Sequence, residues 1–90
     1  MIKAEDLEVG TQIVYIPDHA QDEYHSDCEE GFVTQITSRG AFCRYWNKDN
    51  KGVLRTIANS EHTRFENLII KATHLHSEID VLLRGHGYIK

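Results

Sequence analysis

Ninety residues with 40% apolar and 27% charged side chains and a net charge of −4 describe one globular domain with a modest core, near the size at which a partner subunit or a metal often adds stability. No apolar run reaches the length of a helical bilayer span and no charged, apolar and small-residue leader is present, so a helical membrane protein is excluded and a cytoplasmic location is expected. Two cysteines in such a setting, Cys28 and Cys43, are expected to stay reduced.

Residues 1–8 are polar, and the first strand is expected over residues 9–16, where β-branched and aromatic side chains surround the turn residue Gly10. The next segment, YIPDHAQDEYHSDCEEGFV, holds His19, His25, Cys28 and six carboxylates (Asp18, Asp22, Glu23, Asp27, Glu29, Glu30). It is too polar for a core and reads as one long exposed loop anchored by Tyr15, Pro17, Tyr24 and Phe32; loops of this length in small domains are usually functional or disordered. A second strand follows over residues 32–37, a tight Ser38, Arg39, Gly40 connection leads to a third over residues 41–46, and the turn cluster NKDNKG precedes a fourth over residues 53–57. Residues 58–66 read as a polar loop with a short helical turn, and residues 67–73 as a closing strand built on Leu68, Ile69 and Ile70. Ser77, Asp80, Ile79, Leu82, Leu83 and Gly85 predict one short capped C-terminal helix. The expected architecture is mainly β: a five-stranded barrel over residues 1–75 with a long first loop, and a helix and tail over residues 76–90. A helix so short must dock on the barrel or on a second subunit, and a homo-oligomer is expected.

Charge is unevenly spread. Residues 1–30 carry Lys3 against nine acids, whereas residues 31–76 carry Arg39, Arg44, Lys48, Lys51, Arg55, Arg64 and Lys71 against Asp49, Glu61 and Glu66. The nearly neutral total argues against nonspecific nucleic-acid binding, while a local basic surface can still hold a small anion. Mutual neutralisation of the two halves explains the same pattern without any ligand.

The stretches LEVGTQIVYIP, EEGFVTQI, AFCRYW and ENLIIK resemble the small SH3-like barrels of the KOW and Tudor type. More narrowly, YIPxHA followed by HxDCExGxV and FxRYW resembles a group of small bacteriophage and prophage proteins. That resemblance implies an SH3-like five-stranded barrel and a phage accessory protein in a bacterial host cell. It implies a setting and no activity.

Strand three alternates Ala41, Cys43, Tyr45 with Phe42, Arg44, Trp46, and because an arginine is costly to bury unpaired, the second set is expected to face outward. An open Phe42, Arg44, Trp46 stripe would stack a base or nicotinamide ring, with Arg44 or Arg55 for phosphate. The alternative is that Phe42 and Trp46 lie under the C-terminal helix while Arg44 reaches past the edge. His19, His25 and Cys28 are zinc-type ligands that Asp18, Asp27, Glu29 or Glu30 can complete, but their spacing makes no CxxC knuckle, and hydrogen-bonded loop histidines explain them equally. His74 and His76 form a second possible half-site. No resident cofactor is expected, zinc being the one candidate.

A Cys28 nucleophile with His19 or His25 lacks any accompanying oxyanion or phosphate loop, and surrounding carboxylates work against a thiolate, so a non-enzymatic protein is expected. Asn59, Ser60 and Glu61 offer amide, hydroxyl and carboxylate groups that can read a ligand's polar edge or cap a local turn. Three readings follow. In the first, a counter-defence protein sequesters a small anionic nucleotide of host immunity through His19, His25, Phe42, Arg44, Trp46, Arg55, Asn59 and Ser60. In the second, the acidic loop binds and inhibits a basic host or phage protein. In the third, the domain binds nucleic acid as KOW domains do.

Overall fold

A computed structural model describes residues 1–48, 54–56 and 61–72, with side chains outside the description for residues 47, 48 and 54–56. The expected C-terminal helix, Asn59, Ser60, His74, His76 and the Arg55 side chain lie outside the described residues.

The chain enters through a 3-10 turn, Ala4–Asp6, where the Lys3 N–H donates to Asp6 Oδ2 at 2.9 Å. A second turn follows: Thr11 N–H donates to Glu8 O at 3.0 Å and Gly10 takes φ 96°, a left-handed conformation that a side chain would strain. Gly10 N–H donates to Val33 O at 2.7 Å, so this turn fixes where the first strand meets the second.

Six antiparallel strands make a small barrel-like β fold: β1 Gln12–Tyr15, β2 Glu29–Ile36, β3 Gly40–Lys48, β4 Leu54–Thr56, β5 Glu61–Arg64 and β6 Leu68–Ala72. The sheet runs β4-β3-β2-β1-β6, with β5 also on β3. Register places Tyr15 opposite both Glu29 and Leu68, and Val33 opposite Cys43. A bulge between Val33 and Gln35 leaves Thr34 to donate its hydroxyl to Phe42 O at 3.1 Å. Strand β3 is shared: Gly40 to Cys43 pair with β5 and Trp46 to Lys48 pair with β4.

Strand β5 corrects the expectation of a loop over residues 58–66. Glu61, His62, Thr63 and Arg64 carry no apolar side chain, and only Thr63 is buried, so their pairing rests on backbone hydrogen bonds and leaves no hydrophobic pattern to read. The expected short helical turn does occur, as the 3-10 turn Phe65–Asn67 leading into β6.

The main core contains Leu7, Ile13, Val33, Ala41, Cys43, Tyr45 and Leu68. Burying side chains of the size of Ile13 or Val33 is worth about 1.5–3 kcal/mol each. The opposite sheet face has its own cluster, in which the fully buried Phe32 packs on Trp46 at 5.9 Å between ring centroids and on Val9. Both sheet faces are therefore covered, which is why Gly31 to Thr34 are buried without alternation.

Candidate functional site

The long first loop leaves β1 at Ile16 and returns at Cys28, and its base is clamped by one distant side chain. Asn67, at the end of the second 3-10 turn, donates its amide to Ile16 O at 2.9 Å and to Asp18 Oδ1 at 2.8 Å, while the Ile16 N–H donates to Asn67 O at 2.8 Å. Pro17 is buried and Tyr15 half-buried, as anchors should be, but Tyr24 is 85% exposed and anchors nothing. Its apolar ring points to solvent because the surrounding 20s are held together by polar contacts alone. The Asp22 side chain accepts the Tyr24 N–H at 3.0 Å, and Asp22 O accepts from Cys28 Sγ at 3.3 Å.

Within this loop His19, His25 and Asp27 converge. His19 Nε2 donates to Asp27 Oδ2 at 2.6 Å, the Asp27 N–H donates to His25 Nδ1 at 3.0 Å, and the two imidazoles meet edge to face with centroids 5.3 Å apart. The hydrogen bond from His19, aided by the nearby His25, holds the Asp27 carboxyl below its ordinary value. Cys28 is turned away toward Asp22 O and Asp18 toward Asn67. The trio brought together is thus His19, His25 and Asp27, in place of the His19, His25 and Cys28 set expected from residue type.

At the foot of the loop lies a cleft of about 320 Å³, walled by Tyr15, Asp18, Glu29, Tyr45, Glu61, His62, Thr63, Arg64 and Asn67. Glu29 sits opposite Tyr15 and Glu61 opposite Cys43, so the two carboxylates come from β2 and β5, the strands paired with β1 and β3. Tyr45 forms the floor; its hydroxyl is 2.6 Å from Thr63 Oγ1, and burial first and Cys43 second raise its pKa. Three carboxylates face one guanidinium, and that of Arg64 is already paired with Glu66 at 3.1 Å. Glu30, one residue from Glu29, alternates to the other face and pairs with Lys71 at 2.8 Å. Glu61 was among the polar groups expected to read a ligand, and the structure sets it in this cleft; neither Thr63 nor Asn67 was legible as a site residue, because each lies over thirty residues from the loop it joins and no local spacing marks such a contact.

The Phe42, Arg44, Trp46 set does lie on the face opposite Ala41, Cys43 and Tyr45, but it is not an open stacking surface. Arg44 is 5% exposed, Trp46 packs on Phe32, and Phe42 stands edge to face with His62 at 5.1 Å. The expectation of an outward arginine fails because this face carries a second apolar cluster instead of meeting solvent. His19 and His25 belong to the loop and make no recorded contact with that stripe among the described residues. A second hollow, about 650 Å³, is edged by Met1, Arg39, His62, Arg64, Phe65 and Glu66.

In comparison with known proteins, no family model, no curated protein and no solved structure matches the chain.

Proposed function

We propose that this protein is a non-enzymatic binding module whose acidic cleft and first loop engage a lysine- or arginine-bearing segment of a partner protein. The observation that carries the reading is the cleft itself, which Asp18, Glu29 and Glu61 line together with the half-buried Tyr15. A cationic side chain can lay its methylene stem on that ring and set its charged head among the carboxylates, gaining both cation–π and charge-assisted hydrogen bonding. The site is pre-organised, since Asn67 holds Asp18 and the Tyr45 to Thr63 bond fixes the floor. Loop acids Asp22, Glu23 and Asp27 extend the negative field outward and favour rapid capture of a basic partner.

Fluorescence anisotropy with a labelled oligolysine peptide as probe tests this. The double variant Glu29→Lys, Glu61→Lys should lose binding by roughly a hundredfold, on the scale of two lost charge-assisted contacts, and wild-type affinity should fall steeply with added salt. Equal affinity in the two proteins would refute the cleft as the site.

A small anionic ligand is the second reading, favoured by one observation: Arg39, Arg64, His62 and Phe65 edge the second hollow, with Phe42 edge to face behind His62. In this reading the nucleotide-type ligand binds away from Arg44. Thermal stabilisation by ADP that disappears in Arg39→Ala would support it, and no stabilisation by ADP or pyrophosphate would dismiss it.

A further inference from the structure

We propose that His19 Nε2, His25 Nδ1 and a carboxylate oxygen of Asp27 form a three-ligand site for a borderline divalent metal ion of the zinc type, with solvent in the fourth position. The donor set is two imidazoles and one carboxylate, a combination that zinc and its first-row neighbours accept and that hard cations, which want many oxygens, do not. All three ligand atoms lie within 4.8 Å of one another. Bonds of about 2.0–2.1 Å in a tetrahedron place ligand atoms about 3.3 Å apart. The His19 to Asp27 separation of 2.6 Å must open and the His25 to Asp27 separation of 4.0 Å must close, each by well under 1 Å, and the two imidazole nitrogens, within 4.8 Å of each other, close by at most about 1.5 Å. These are rotations of exposed or half-exposed side chains, and the backbone can stay where it is.

The exchange of bonds is balanced. The metal takes the place of the His19 Nε2 proton, which moves to Nδ1 of the same ring when the imidazole is neutral and to solvent when it is charged, and it takes the His25 Nδ1 lone pair from the Asp27 N–H. That N–H belongs to an exposed residue and can turn to water. The loop geometry brings the ligands together: Cys28 N–H donates to His25 O at 3.0 Å, closing a turn that sets His25 and Asp27 side by side, while His19 comes from the outgoing limb. A bound ion would therefore join the two limbs of the loop. The neighbouring carboxylates Asp22 and Glu23 raise the local cation concentration without supplying ligands.

Calorimetric titration of the full chain with zinc chloride tests the site. One ion per chain is expected. Affinity should fall roughly tenfold or more in His19→Ala and in Asp27→Asn, the latter keeping side-chain shape, and should be unchanged in Cys28→Ser. Thermal melting of each apo variant confirms folding. The cobalt form should lack a thiolate-to-cobalt charge-transfer band, and calcium should not displace the ion. Absence of saturable binding, retention of full affinity in Asp27→Asn, loss in Cys28→Ser, or displacement by calcium would each overturn the assignment.

Discussion

The hydrogen bond between Tyr45 and Thr63 joins the floor of the acidic cleft to the strand that carries Glu61. Its oxygens are 2.6 Å apart, Tyr45 is 2% exposed and Thr63 8%, so neither group has ready access to water when its partner is removed. Tyr45→Phe should strand the Thr63 hydroxyl at a cost of about 1–3 kcal/mol. In a domain of this size each kcal/mol lowers Tm by about 4–8 °C. Thr63→Val should cost a similar amount by stranding the phenol. The double variant removes both polar groups and should be close to either single, giving a coupling of about 1 kcal/mol or more. Urea denaturation of the four proteins followed by tryptophan fluorescence from Trp46 measures all terms at constant m-value. Additive losses, with coupling below about 0.3 kcal/mol, would refute the bond.

Other outcomes follow from the same structure. Gly31→Ala would put a Cβ 2.5 Å from Arg44 O and 2.8 Å from a Tyr45 ring carbon; the β2 to β3 pairing must spread, and a loss of about 1–3 kcal/mol in denaturant titration is expected. Burial pushes the Cys43 thiol from 9.0 up to about 11. The unfolded chain then releases this proton first, so stability should be full below pH 9, fall by about 3 kcal/mol as pH rises to 11, and fall less steeply in Cys43→Ala. A disulfide reagent such as Ellman's should label Cys28 in the folded protein while the fully buried Cys43 reacts only on unfolding; equal rates at both would contradict the packing of β3.

The strands that could be read from sequence are those with apolar partners. Ile13 in β1, Phe32 and Val33 in β2, Ala41 and Cys43 in β3, and Leu68 in β6 mark their strands because each fills a core. Strand β5 could not be read, because its cohesion lies in backbone pairing and in contacts of polar side chains, Thr63 with Tyr45 and His62 with Thr37 and Phe42. Residue type likewise located the chemistry-bearing loop but not its internal arrangement. Whether Cys28 or Asp27 joins the two histidines depends on which way a few turn residues point, and the Asp22 carbonyl decides it by accepting the thiol. The cleft was illegible for a different reason: Glu29 and Glu61 belong to strands that meet only through β3. Arg44 misled because the cost of burial applies to an unpaired guanidinium, and the buried Arg44 is not without a partner.

The central claim is that a cationic segment enters the cleft beneath the first loop. Amide chemical-shift mapping of the ¹⁵N-labelled protein during titration with an oligolysine peptide reads this residue by residue. Saturable shifts centred on Tyr15, Asp18, Glu29, Glu61 and Asn67 are expected. Shifts centred on Arg39, Phe65 and Glu66, or none at all, would contradict the claim.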